Sequence, residues 1–153
     1  MSHRSEPGER RLERPPSERY VAPEPDPVDA PGSLGLALAY GALASLGGVV
    51  LTVLLGGVLA LSAGLLVVWG ASGDIVGMLT RVGGGARLAP PGRAVVAVVV
   101  ALVGVALGQL GLWWYAGTEG GVLPLVDYLV QTFGILVPLQ ALLAAGFAWW
   151  GSR

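Results

Sequence analysis

The stretch of sequence that decides the fold is Leu34–Leu79, LGLALAYGALASLGGVVLTVLLGGVLALSAGLLVVWGASGDIVGML. No charged side chain occurs between Asp29 and Asp74. Because one helix needs about 20 apolar residues to cross a bilayer, a run of this length is enough for two crossings. The sequence therefore predicts a membrane protein in which two apolar helices follow each other closely.

The composition supports this class and excludes others. Of 153 residues, 54% are hydrophobic and 12% charged, whereas soluble domains carry about 25% charged residues. The net charge of −1 indicates no nucleic-acid partner. The chain has no cysteine, its one histidine is His3, and it shows no catalytic constellation, so we expect no enzyme activity, cofactor or metal site. All nine basic residues are arginine, which suggests GC-rich, bacterial coding.

Residues 1–31 differ in composition from the rest. They contain five arginines, seven acidic residues and seven prolines, and almost no aliphatic side chains. Such a segment cannot bury enough apolar surface to offset its ordering entropy, so it predicts a disordered cytoplasmic tail and not a signal peptide. The functional alternative is a docking tail, in which Val21–Pro31 adopts polyproline II conformation.

Two helices, at about 33–55 and 58–79, are predicted in the long apolar run, with Gly56-Gly57 as a tight turn between them. One very long helix is the competing interpretation. Arginines flank the run on both sides, and the positive-inside rule places both flanks in the cytoplasm. An even number of crossings must then lie between them, which favours two helices.

The second half of the chain is predicted to contain two more helices. Arg81–Arg93 is rich in glycine, proline and arginine and is predicted as a cytoplasmic loop. A third helix at about 94–116 ends in aromatic residues typical of a membrane interface. A fourth, at about 122–150, follows an outer loop with Glu119, and Pro138 should kink it. We therefore expect an all-α membrane domain over 32–153: four helices in an antiparallel bundle in the cell membrane, with both termini cytoplasmic.

Small residues recur on each predicted helix at steps of three and four. Where lipid surrounds the helices, small residues allow close backbone approach, so these stripes should face one another. The stripe of helix one is Ala37, Gly41, Ser45, Gly48 and Thr52, and that of helix two is Ala60, Ala63, Val67, Gly70, Asp74 and Gly77. Helix three contributes Ala97, Ala101, Gly104, Gly108 and Gly111, and helix four Asp127, Gln131, Gly134, Pro138, Ala141 and Ala145. The predicted packing glycines are Gly41, Gly48, Gly104, Gly108 and Gly111.

Two carboxylates fall on these stripes, and a charge at mid-helix costs about 2.5–3.5 kcal/mol on insertion scales. Asp127, Gln131 and Gln109 are predicted to form a polar cluster in the outer half. That cluster would be either hydrogen-bonding glue between helices or an ion-binding site or subunit contact. Asp74 has two interpretations. In a continuous helix two it is buried and Tyr40 can donate to it; if helix two breaks at Gly70–Gly73, Asp74 caps an interfacial helix.

Two functions follow from these observations. The first is an accessory, assembly or scaffold subunit of a membrane complex, with the lipid bilayer and other membrane subunits, or copies of itself, as partners. The alternative is a homo-oligomeric channel or proton-coupled transporter that uses Asp127 or Asp74. The two halves of the chain show no convincing repeat, and inverted repeats are common in transporters, so the first is favoured.

Overall fold

A computed structural model describes residues 31–120 and 123–153. This part is all-helical and contains no strand, which confirms the helical class. The helices are α1 (Leu34–Thr52, continued by a π-helical turn, Val53–Val58), α2 (Gly64–Gly84, followed by a 3-10 turn, Gly85–Arg87), α3 (Pro90–Thr118), α4 (Leu125–Thr132) and α5 (Leu136–Gly151). The predicted tail lies outside the described residues except for Pro31.

Three of the described helices are long and apolar enough to cross a membrane: Leu34–Val58, Gly64–Arg87 and Pro90–Thr118. The pair α4 and α5 would form a fourth span if the two helices are counted together, although they meet at 89°. The helices are therefore consistent with a membrane protein of three or four spans.

The close contacts give the direction of each helix. Ser33 N donates to the Gly83 carbonyl at 3.0 Å, and Gly48, at the other end of α1, faces Ser72, so α1 and α2 run in opposite directions. Gly104 faces Ser45, and α3 runs alongside α1 in the same direction.

The α2 and α5 helices also run in one direction. Gly73 lies against Ala144 and Gly77 lies against Ala148, so the residue numbers of the two helices rise together. Neighbouring helices in the chain thus alternate in direction, apart from the short α4.

The first connection differs from the prediction. Gly56-Gly57 is part of the π-helical turn that ends the first span, and the chain reverses over residues 59–63, where Ala60 has φ 53°. A Cβ on Gly56 would lie 3.0 Å from Leu112 Cδ2, and one on Gly57 would lie 2.9 Å from Tyr115 Cδ1. The glycine pair is therefore explained by close packing against α3 and not by the turn.

The second connection is shorter than the predicted loop Arg81–Arg93. The α2 helix continues through Gly84, because Gly83 allows its backbone to approach Leu36 and Ala37 of α1. The α3 helix already begins at Pro90, where a proline costs no hydrogen bond since the first N–H groups of a helix have no internal partner. Helix two is continuous through Asp74, so the alternative with a break at Gly70–Gly73 is wrong.

The predicted fourth helix is two helices. The α4 helix ends at Thr132, and Gly134 takes φ 50°, a left-handed conformation that glycine adopts without strain. The chain then starts again as α5, in whose first turn Pro138 needs no backbone donor. The prediction of one helix kinked at Pro138 is therefore wrong.

The core lies between α1, α2, α3 and α5. Its largest buried side chain is Trp69, packed with Val76, Val105 and small residues of α3 and α5. All five residues of the α1 stripe are buried. So are the first four residues of the α3 stripe, from Ala97 to Gly108.

The stripe predicted on helix two is buried only at Gly70 and Gly77, and none of the residues of the stripe predicted on helix four is buried. Val67 is 74% exposed, and the buried face of α2 instead contains Trp69, Ser72 and Val76. On α5 the buried residues are Gln140, Ala144 and Ala148. On helix four the error is one of helical phase, because the bend between α4 and α5 interrupts the predicted helix.

Candidate functional site

The predicted outer cluster does not form. Gln109 is 3% exposed and its Nε2 donates to Oε1 of Gln140, itself fully buried, at 2.7 Å. Asp127 and Gln131 lie exposed on α4, which the bend carries out of line with α5. Gln109 therefore bonds to Gln140, two turns past the bend, and does not contact either of its predicted partners.

Each glutamine of the Gln109–Gln140 hydrogen bond also carries a buried polar atom that has no partner. Gln109 Oε1, Gln140 Nε2, Trp69 Nε1 and Thr80 Oγ1 have no hydrogen-bond partner among the protein atoms described. A polar group in an apolar interior is costly when unpaired, so each of the two amides depends on the single bond that it makes. The hydrogen bond therefore fixes the position of α3 along α5. The spacing of Gln140, Ala144 and Ala148 was the sequence signal for it.

Tyr40 and Asp74 are not brought together. Gly41, next to Tyr40, faces Thr80. Asp74 is six residues before Thr80, which is about 9 Å along a helix. Tyr40 is itself 41% exposed on α1, whereas Asp74 lies beside α5.

The five predicted packing glycines all lie against a neighbouring helix. An added Cβ would come within 2.7 Å of Thr80 Oγ1 at Gly41, 2.8 Å of Ser72 Oγ at Gly48 and 2.9 Å of Trp69 Cζ2 at Gly108. Gly104 faces the Ser45 hydroxyl, and Gly111 lies 2.8 Å from Val53 Cγ2 by the same measure. These glycines bring α1, α2 and α3 together around Trp69.

A second glycine contact lies between α2 and α5, and of its two glycines only Gly77 is on the predicted stripe of helix two. A Cβ on Gly73 would lie 2.5 Å from the Ala144 carbonyl oxygen, and one on Gly77 would meet the Ala148 carbonyl oxygen. Gly73 and Gly77 have the spacing of the GxxxG motif, which lets two helix backbones touch. The two helices therefore meet backbone to backbone at this level.

Asp74 lies at the edge of this contact. It is the midpoint of α2, ten residues from Gly64 and ten from Gly84, which is about 15 Å from either end. Its side chain is half-buried and lines a groove of about 410 Å³ between α2 and α5, together with Val67, Ala71 and Phe147. A Cβ on Gly151 would lie 2.8 Å from Asp74 Oδ1, so α5 covers one side of the carboxylate.

The groove continues from Asp74 towards the end of α5. A second recess of about 470 Å³ is lined by Asp74, Arg81, Trp150 and Arg153. The Arg153 guanidinium also lies 5.4 Å from the centroid of the Trp149 ring. One surface of the bundle thus carries a carboxylate and two guanidinium groups that line the same recess.

Other kinds of site receive no support. No group of three or more His, Cys, Asp or Glu side chains that could hold a metal occurs among residues 31–120 and 123–153. Comparisons with protein families, with curated proteins and with solved structures found no match to the chain.

Proposed function

We propose that this protein is an accessory or assembly subunit of a membrane complex. In this proposal it spans the cell membrane four times as an antiparallel bundle, and the fourth crossing is made by α5, with α4 lying at the membrane interface before it. It binds other membrane proteins through its lipid-level surface and performs no reaction itself.

The observation that carries the proposal is the carboxylate of Asp74, which lies partly buried at the midpoint of α2 and lines the groove between α2 and α5. None of the side-chain hydrogen bonds in the described part of the chain involves it. A charged side chain at the middle of a membrane helix is unfavourable when it faces lipid, and such residues normally face protein or water. In this proposal, a segment of another protein covers the surface that carries Asp74.

The interior of the bundle supports the same conclusion. The fully buried Trp69 ring lies between α1, α2 and α3, with Gly48, Gly104 and Gly108 directly against it. This aromatic ring blocks the interior of the bundle at the level of Trp69, so a single copy has no solute pathway there.

Native mass analysis of the protein, extracted from its own membranes in mild detergent, tests the proposal. We expect the chain to appear in a complex with at least one other membrane protein at a defined ratio. Extraction at a tenfold higher detergent concentration should release the 15.6 kDa chain as a control. A defined homo-oligomer as the only species would contradict the proposal and favour the channel or proton-coupled carrier that uses Asp74 or Asp127.

A further inference from the structure

Two buried polar side chains lie at the same level on α2 and α5. Gly73 of α2 faces Ala144 of α5, and the residue numbers of the two helices rise together. One helical turn earlier on each helix, Trp69 is therefore level with Gln140. Both side chains are fully buried, and neither Trp69 Nε1 nor Gln140 Nε2 has a hydrogen-bond partner among the protein atoms described.

Gln109 of α3 brings a third buried polar side chain to this level. Its Nε2 donates to Gln140 Oε1 at 2.7 Å, whereas its own Oε1 is buried without a partner in the described part of the chain. The residue before it, Gly108, faces Trp69, since a Cβ added there would lie 2.9 Å from Cζ2 of the indole ring. Nε1 is bonded to the ring atom next to Cζ2, so the N–H edge of the indole faces this part of α3. We call Trp69, Gln109 and Gln140 the polar layer.

The unpartnered atoms of the polar layer have complementary chemistry. The indole Nε1 and Nε2 of Gln140 only donate hydrogen bonds, whereas Oε1 of Gln109 only accepts them. Because the two amides already bond at 2.7 Å, ordinary amide dimensions keep their unpartnered atoms within about 7 Å of each other. A donor and an acceptor that lie close together without a direct bond are commonly bridged by water.

We propose that the polar layer binds one buried water molecule, which accepts hydrogen bonds from Trp69 and Gln140 and donates one to Gln109. Buried waters typically make about three hydrogen bonds to polar groups that would otherwise be unpaired, which is the number that this site offers. An ion suits the layer less well, because none of its three side chains is charged. A cation would meet two N–H donors, and an anion would meet a carbonyl oxygen.

The bound water connects three helices. The direct hydrogen bond joins only α3 and α5, and the water adds the indole of α2 to the same network. It also removes the free energy cost of three desolvated polar atoms in the apolar interior. The inference goes beyond the proposed function, because it concerns the interior of the bundle and holds whatever covers Asp74.

Nuclear magnetic resonance of the full chain in detergent micelles tests this. The chain has five tryptophans, and with ¹⁵N-labelled indole groups Trp69→Phe identifies the signal of Trp69. We expect the indole N–H of Trp69 to exchange slowly with solvent because it is fully buried, and to show a dipolar cross-peak at the water frequency, of the sign that excludes chemical exchange. The absence of this cross-peak in the unmodified chain would overturn the inference, since the indole would then be bonded to protein or left unpaired.

Two variants show whether the water is held by the polar layer. Gln109→Leu removes the acceptor, and the cross-peak of Trp69 should be lost. Gln131→Leu, at an exposed position of α4, is the matched control and should keep it. A cross-peak that survives Gln109→Leu in the folded protein, or that Gln131→Leu also removes, would contradict the site. Should Gln109→Leu fail to fold, the unmodified chain still decides whether the water is bound.

Discussion

Gln109 and Gln140 form the only hydrogen bond between two side chains in the described part of the chain. Hydrogen bonds between membrane helices contribute only about 0.6–2 kcal/mol, because the separated helices also find partners. Their larger effect appears when one partner is removed, since the other amide then stays buried and unpaired. The pair therefore acts mainly on the register of α3 against α5.

The single variant Gln140→Leu should destabilise the bundle by about 1–3 kcal/mol, because it strands the Gln109 amide in the core. The double variant with Gln109→Leu and Gln140→Leu should lose less than the sum of the two single variants. Unfolding in mixed detergent micelles measures all three free energies. Gln131→Leu, at an exposed position of α4, is the control and should change stability little. Strict additivity of the two single effects would show that the amides do not interact.

Gly73→Ala should weaken the contact between α2 and α5. The new methyl would lie 2.5 Å from a backbone oxygen, which cannot rotate aside as a side chain can. We expect a loss of about 1–3 kcal/mol, as for other overpacked positions. Gly47→Ala on α1 is the matched control, because a Cβ there meets nothing within 4 Å, and it should stabilise the helix by about 0.5–1 kcal/mol. Equal melting temperatures for the two variants would mean that the helices do not touch at Gly73.

At the scale of elements, the sequence predicts some helices better than others. The stripes of α1 and α3 were readable because each helix is uninterrupted and uses mainly one face for packing. The buried residues of α2 form one wide arc, from Trp69, which packs with α1 and α3, to Gly73, which faces α5. The predicted stripe through Val67 and Asp74 lies beyond the edge of this arc. On α5 the left-handed Gly134 resets the helical phase, which no spacing rule anticipates. The sequence identifies Asp74 as a candidate, but the groove beside it depends on how α2 and α5 pack together.

The short helix α4 has three different faces. Leu129 packs against the buried side chains of Leu65, Leu112 and Phe133. Val126 and Val130 are 70% and 65% exposed, and Asp127 and Gln131 are exposed on the remaining face. With the axis of α4 at 89° to α5, this arrangement is typical of a helix in the plane of the membrane interface.

Spin labels on single cysteines can test this orientation, because the chain has no cysteine of its own. In liposomes, labels at Val126 and Val130 should be more accessible to oxygen, which concentrates in lipid. Labels at Asp127 and Gln131 should be more accessible to a water-soluble nickel chelate. Leu142, which is 70% exposed on α5, serves as the reference for a lipid-facing site. The same accessibility at all four positions of α4 would rule out an interfacial helix.

At the scale of the whole molecule, charge is separated along the bundle axis. The end that joins α2 to α3 carries Arg81, Arg87 and Arg93, and the last residue of α5 lies near the same end, with Arg153 following it. Glu119 and Asp127 lie at the opposite end. Arg93 also stabilises its end locally, because its Nε donates to the Leu88 carbonyl at 2.8 Å.

This separation predicts the orientation in the membrane. Short arginine-bearing segments stay in the cytoplasm because positive charges resist translocation, whereas acidic side chains contribute little. Cysteines placed at Ala86 and Thr118, both exposed and at opposite ends, report the two sides. In intact cells an impermeant maleimide should label the cysteine at position 118 and should reach that at position 86 only after permeabilisation. The reverse pattern would mean that the arginine end faces outward. Labelling of both positions in intact cells would contradict any arrangement in which the two ends of α3 lie on opposite sides of the membrane.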